Sequence, residues 1–197
     1  MSPAEVLKIF EAAGALQQGH FGLSSGNHSN RYLQCALVTQ YPRFALAVAQ
    51  DLAAPFVKLG VEVVLGPALG GVVIAQEVAQ ALYRAGLTGV RAIFCERVEG
   101  RLTLRRGFSL KPGERVLAVE DVVTTGGSLK ETLELARLAQ AQIVGAACLV
   151  DRSPAPPDLG TPLTSLLKIA AEIYPANACP LCQAGVPLSK PGSRSLA

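Results

Sequence analysis

Between Arg115 and Ser128 the chain reads Arg-Val-Leu-Ala-Val-Glu-Asp-Val-Val-Thr-Thr-Gly-Gly-Ser, an order that few folds accommodate. An apolar run of strand length ends in two adjacent carboxylates, passes through hydroxyls and glycines, and enters an amphipathic segment from Ser128 to about Gln140. The pattern predicts strand, loop and helix. A turn of small residues aims consecutive backbone N–H groups at one anion, and the helix N-terminus behind it adds about half a positive charge. Thr124, Thr125 and Ser128 supply hydroxyl donors, and Gly126 and Gly127 allow close backbone approach. The turn is therefore expected to cradle a phosphate. Glu120 and Asp121 would repel that anion, so they need another partner, either neutral sugar hydroxyls or a hydrated Mg²⁺.

The remaining chain sets limits around this unit. With 197 residues, half of them hydrophobic, it can bury a core of its own and is expected to form a single domain, 1–197. A net charge of +3 with dispersed basic residues argues against a nucleic-acid binder. No apolar run is long enough for a bilayer, and Met1 to Glu5 does not read as a signal peptide, so a cytoplasmic protein without membrane partners is expected. Five cysteines make an odd count, and Cys35, Cys95 and Cys148 sit in apolar segments, as reduced packing residues do.

Read in order, Ser2-Pro3 opens a first helix reaching about Gly14, and a polar loop from Gly22 to Asn30 runs into an expected strand from Tyr32 to Val38. A second helix is expected from Pro42 to Gly60. Val61 to Leu65 then forms a buried strand, followed by a second glycine-rich turn, Gly66-Pro67-Ala68-Leu69-Gly70-Gly71. That turn is either a second anion cradle or tight strand-to-helix packing. After the strand from Val90 to Cys95, the segment 96–108 carries Arg97, Arg101, Arg105 and Arg106 between glycines. It suits a solvated hairpin or a lid that brings cations to a leaving group. Ile143 to Val150 is a fully apolar strand ending in Asp151-Arg152, where Arg152 either grips a planar anion or pairs with Asp151. Apolar strands alternating with helices give an α/β fold with a parallel sheet, and the two turns and Arg152 share its carboxyl rim. Cys179-Pro180-Leu181-Cys182 has metal-ligand spacing, but no second pair exists and neither histidine is close in sequence, so no protein metal site is expected.

The strand, two acids, two aliphatic residues and Thr-Thr-Gly-Gly-Ser resemble the phosphoribosyl-diphosphate (PRPP) signature of type I phosphoribosyltransferases. Phe21 to Ser29 with Tyr32, Gly66-Pro67-Ala68 and Asp151-Arg152 make the chain similar to the orotate phosphoribosyltransferases, over nearly its whole length. Cys179 to Cys182 and the run 190–194 look like one branch of that family. The resemblance implies a parallel-sheet phosphoribosyltransferase fold flanked by helices, with a small hood from about residues 1–40 and a flexible lid at about 96–108. It also implies the reaction of orotate with PRPP to give orotidine 5′-monophosphate and diphosphate, in pyrimidine biosynthesis, with Mg²⁺ held mainly through the diphosphate.

Carried over by position, Glu120, Asp121, Val122, Val123, Thr124, Thr125, Gly126, Gly127 and Ser128 should bind PRPP, with the acids on the ribose hydroxyls. Gly66 to Gly71 should lie against the diphosphate, and Thr124, Arg152, Ser24, Ser25 and Gly26 should meet orotate. Asp121 and the lid arginines Arg97, Arg105 and Arg106 are the expected catalytic groups. A homodimer is implied as well, because the family's lid commonly reaches into the partner's site.

The chain departs from the family where many members carry Lys, at Ser24 and Gly70, and its lid has arginines in place of Lys and His. The residues leave two other readings: a phosphoribosyltransferase for another base, which Arg152 disfavours, and a PRPP-sensing regulator, which should carry a basic face or an extra domain.

Overall fold

The computed structural model describes residues 1–23, 26–169 and 172–190. Helix α1 (Pro3–Ala12) starts on a capping box in which Ser2 and Glu5 satisfy each other's backbone N–H groups. It buries Val6 and Phe10 in the main core rather than in a hood. Strands β1 (Leu16–Gly22) and β2 (His28–Leu33) form an antiparallel hairpin.

The strand expected to run on to Val38 stops at Leu33, and Ala36–Thr39 is a short helix, α2. There Cys35 and Val38 are both buried, a three-residue spacing that suits a helical turn and not an alternating strand. Helix α3 (Pro42–Ala53) also ends before the expected Gly60, and the chain continues as a 3₁₀ turn over Ala54–Leu59. Pro55 lacks an N–H and so cannot continue the i→i−4 hydrogen-bond ladder of α3, although Ala54 before it keeps α geometry (φ −52°, ψ −43°).

The main sheet has six strands. In chain order they are β3 (Val63–Pro67), β4 (Arg91–Val98), β5 (Arg101–Leu104), β6 (Arg115–Val123), β7 (Gln142–Asp151) and β8 (Leu163–Lys168). Their spatial order is β5-β4-β3-β6-β7-β8, parallel throughout except for the β4–β5 hairpin. Helix α4 (Gly70–Arg84) follows β3, and α5 (Gly127–Leu138) follows β6. The central strand β6 has Val116 to Val119 fully buried, as a strand covered on both faces must be. Cys35, Cys95 and Cys148 are packing residues of this interior. Among the described residues no helix is long and apolar enough to cross a membrane.

The hood draws on both ends of the chain. A two-residue strand, β9 (Ile173–Tyr174), adds to β2 with His28 opposite Tyr174, so the second sheet runs β1-β2-β9. The chain then turns through a short helix, α6 (Pro180–Gln183), and returns to β1, where Gly22 donates to the Ser189 carbonyl and Ser189 donates to that of His20. This return corrects the expectation that no histidine is near Cys179 and Cys182: His20, remote in sequence, lies against both sulfurs, and His28 lies against that of Cys182.

Candidate active site

Strand β6 delivers Glu120 and Asp121 to the carboxyl rim and turns into α5 through Thr124 to Gly126. Gly126 adopts the left-handed conformation (φ 80°) at the helix N-cap, and a Cβ there would come within 2.8 Å of Pro157. Only glycine satisfies both conditions. Lacking a side chain, Gly126 cannot cap α5, and the Gly127 N–H instead donates to Thr125 Oγ1 at a long 3.4 Å. A cavity lies over that turn, lined by Glu120 and by every residue from Val122 to Leu129. Thr124, Thr125 and Ser128 are exposed on it, so hydroxyls and open N–H groups surround one small volume.

The two acids stand at the floor. Glu120 is only 9% exposed, and burial, reinforced by the neighbouring Asp121, pushes its carboxyl up to about 9. Burial raises Asp121 as well. The Asp121 carboxylate accepts the Val122 N–H at 2.8 Å, while Glu120 accepts the Asp121 N–H at 3.4 Å. Among the described residues neither acid has a cationic partner. Two desolvated carboxylates without a counter-ion share protons until a cation or hydroxyl donors arrive.

The second turn reaches the same place. Gly66 approaches Gly71 so closely that a Cβ would sit 2.3 Å from the Gly71 carbonyl oxygen. A Cβ on Gly70 would fall 2.3 Å from Asp121 Oδ2. The Asp121 carboxylate thus occupies the space that a side chain at position 70 would need, which is a local reason for glycine there.

Arg152 enters from β7, its N–H donating to the Val123 carbonyl at 2.7 Å. Asp151 does not pair with it. That carboxylate instead accepts from the Ser153 backbone and hydroxyl at 2.9 and 2.5 Å and faces Lys168 at 3.6 Å. Among the described residues the Arg152 guanidinium forms no ion pair, and burial lowers its pKa. A half-buried guanidinium without an ion pair on this rim has the chemistry to hold a planar anion.

Segment 96–108 folds mainly as the β4–β5 hairpin, with Val98 opposite Arg101 and a two-residue turn in which Glu99 and Gly100 both have positive φ. Arg97 forms a fork with Glu131 of α5 at 2.9 and 3.1 Å, and Arg106 forms one with Glu96 at 2.8 and 2.9 Å. Arg105 is exposed, and while its backbone carbonyl accepts from the Phe108 N–H at 2.9 Å, its guanidinium makes no hydrogen bond or ion pair among the described residues. The structure therefore joins Glu120 to Ser128, Gly66 to Gly71 and Arg152 in one rim, while two of the three expected lid cations are engaged elsewhere. Gly26 lies in the β1–β2 turn (φ 81°), whereas Ser24, Ser25 and 191–194 lie outside the described residues. Sequence reasoning missed the Arg97–Glu131 tie and the gathering of His20, His28, Cys179 and Cys182. The second leaves no local signal, since it forms only where the C-terminal segment returns to β1.

A family model described as "Phosphoribosyl transferase domain" matches residues 45–173, which hold β3 to β8, both turns and Arg152. An orotate phosphoribosyltransferase from Pelotomaculum thermopropionicum is 49% identical over 196 residues, covering all of both chains. One from Desulforamulus reducens is 47% identical over 196 residues, again with full coverage of both. Among solved structures, the orotate phosphoribosyltransferase of Aeropyrum pernix superposes with a TM-score of 0.69 at 26% identity, over 83% of this chain and 93% of that one. The family model and the full-length likeness agree with the turn and paired acids at the rim: the chain belongs to the phosphoribosyl transferase domain family, among its orotate phosphoribosyltransferases.

Proposed function

We propose that this protein transfers the 5-phosphoribosyl group of PRPP to orotate, releasing diphosphate and forming orotidine 5′-monophosphate, the step that leads to UMP. The observation that carries the reading is the buried acid pair standing beside an open helix N-terminus, with the unpaired Arg152 guanidinium on the same rim. The 5′-phosphate sits in the turn from Thr124 to Ser128, held by hydroxyls, open N–H groups and the dipole of α5. Glu120 and Asp121 take the ribose 2′- and 3′-hydroxyls. Arg152 and Thr124 hold orotate, whose carboxylate explains why this half-buried cation forms no ion pair among the described residues.

The bond from ribose C1 to the diphosphate oxygen breaks and a bond from C1 to an orotate ring nitrogen forms; diphosphate leaves with the bonding electrons, and the proton of that ring nitrogen passes to the departing diphosphate or to solvent. Positive charge grows on the ribose ring as that bond weakens, and the nearby carboxylates stabilise it most when ionised. Ionisation is costly in the free site and becomes favourable as a cation develops, so the acids of this chain favour the transition state over the ground state. Two carboxylates without a counter-ion also suit a divalent cation as donors, and Glu120 and Asp121 would face Mg²⁺ carried in by PRPP. When bound, Mg²⁺ supplies charge neutralisation to the diphosphate.

Arg105 is the lid cation we assign to the leaving group, since Arg97 and Arg106 hold the shape of the hairpin. An apolar concavity of about 360 Å³, between α4 and the Phe94–Phe108 pair and with Val73 exposed on it, supports a homodimer that covers this face. A cytoplasmic location fits substrates too charged to cross a bilayer unaided. Incubation with Mg²⁺, PRPP and each of orotate, uracil and adenine tests the reading. Product with orotate alone supports it. Product with adenine or uracil and none with orotate would overturn the substrate assignment, and no product with any base would overturn the reaction.

A further inference from the structure

Four side chains outside the proposed catalytic rim converge on one point beneath the hood. His20 Nε2 lies 2.9 Å from His28 Nδ1, 3.5 Å from Cys179 Sγ and 3.7 Å from Cys182 Sγ, and His28 Nδ1 lies 3.3 Å from Cys182 Sγ. All four ligand atoms fall within 4.8 Å of one another. A tetrahedral ion with bonds of about 2.0 Å to nitrogen and 2.3 Å to sulfur has N–N edges of about 3.3 Å, N–S edges of about 3.5 Å and S–S edges of about 3.8 Å. The three nitrogen–sulfur separations, 3.3 to 3.7 Å, bracket the N–S edge, and the 2.9 Å nitrogen–nitrogen separation is about 0.4 Å shorter than its edge.

Local structure aims each group. Between Gln18 and Phe21 the β1 register slips by one residue against β2, and such a bulge turns His20 toward His28. Cys179 and Cys182 flank the first turn of α6, three positions apart, so both sulfurs reach the same side. His20 Nδ1 is 2.8 Å from the Val186 carbonyl oxygen, which can only accept. Nδ1 therefore carries the proton, and Nε2 presents a lone pair to the cluster. An outer carbonyl fixing a histidine in this way is the usual support of a metal ligand.

A second observation concerns the segment these cysteines belong to. From residue 172 to 190 Cys179 is the only buried residue, so burial of apolar surface holds almost none of the segment in place. It nevertheless follows a defined path, through the β9–β2 pairing, the His20–Val186 contact and the Ser189 hydrogen bonds. Short elements without a core of their own need a staple. Both histidines of the chain stand at this one point, while the other three cysteines are packed elsewhere.

We propose that His20, His28, Cys179 and Cys182 bind one Zn²⁺ ion in a closed N₂S₂ tetrahedron that pins the C-terminal segment onto the β1–β2 hairpin. Mixed imidazole and thiolate ligands in this geometry favour zinc over the harder divalent ions. No ligand position is left open, so the role is structural. Binding releases a proton from each thiol, and no redox change takes place.

The test uses the full chain. Metal analysis of purified protein should give about one zinc per chain, and zinc-stripped protein should take up Co²⁺ to the same ratio. The cobalt form should show the intense d–d bands of tetrahedral coordination together with a thiolate charge-transfer band, both abolished by added zinc. The exposed Cys182 allows Cys182→Ser to be made with little risk to the core, and this variant should lose the charge-transfer intensity of one thiolate and bind cobalt much more weakly. Removing zinc should also lower the melting temperature and open residues 172–190 to proteolysis. Cobalt bound with an octahedral spectrum and no thiolate band would overturn the proposal. So would zinc bound equally by Cys179→Ser/Cys182→Ser, or a Cys179–Cys182 disulfide in protein prepared without oxidant and supplied with zinc.

Discussion

Glu120→Gln separates the cost of the acid pair from its use. The native fold holds the Glu120 carboxyl near 9, against an ordinary value of 4.5. Below about pH 9 the wild-type site therefore carries a neutral group at 120 beside Asp121, and a glutamine presents nearly the same charge state. The difference lies in the unfolded chain, where glutamate is ionised above about pH 5 and glutamine never is. Folding the wild type at pH 7 takes up a proton across about 2.5 pH units, which costs about 3 kcal/mol.

Because the native state binds that proton more tightly, wild-type stability is greatest below the unfolded pKa and declines as pH rises, until it levels off near the folded value. The expected slope is about 1.4 kcal/mol per pH unit from roughly pH 5 to pH 8. Glu120→Gln should be more stable by up to about 3 kcal/mol at pH 7 and should lack that component of the slope, while turning over PRPP more slowly, since it cannot ionise. Urea unfolding of both proteins at four or five pH values gives the difference directly. A difference that does not change with pH, or one that shrinks as pH rises, would refute burial of a protonated Glu120.

Four further variants probe the site. Arg152→Ala should weaken orotate use by about 2 to 3 kcal/mol in kcat/KM, roughly 30- to 150-fold, with PRPP affinity little changed, as initial rates at varied orotate and PRPP will show. Arg105→Ala should lower kcat, whereas Arg97→Ala removes an exposed pair with Glu131 worth about 1 kcal/mol or less and should act mainly through hairpin order, seen as faster amide exchange across 96–104. Gly70→Ala forces the new methyl group against Asp121 and should raise KM for PRPP with a stability loss of about 1 to 3 kcal/mol, measurable by kinetics and urea unfolding.

The legible parts of this protein were those written in contiguous sequence. Strand β6, its terminal acids, the Thr-Thr-Gly-Gly turn and α5 are neighbours in the chain, so composition and order alone indicate their geometry. Arg152 was legible for a similar reason, because a strand ending in Asp-Arg in a parallel sheet must deliver them to the common rim. The stretch Tyr32 to Val38 misled, since a short apolar run fits a strand or a helical turn equally, and tertiary burial of Cys35 and Val38 decided for the turn. Arg97 looked like a free lid cation because its partner, Glu131, stands 34 positions away on α5. The His20–Cys179 contact spans 159 positions and depends on a strand bulge and on the return of the C-terminal segment, neither of which leaves a local signal.

The most direct measurement of the central claim is a crystal structure of the protein with PRPP, Mg²⁺ and orotate under conditions that prevent turnover. The account predicts the 5′-phosphate within hydrogen-bond distance of the Thr124 to Ser128 turn, the ribose hydroxyls on Glu120 and Asp121, and the orotate carboxylate on the Arg152 guanidinium. A ribose phosphate bound elsewhere, or orotate seated with Arg152 facing solvent, would contradict it.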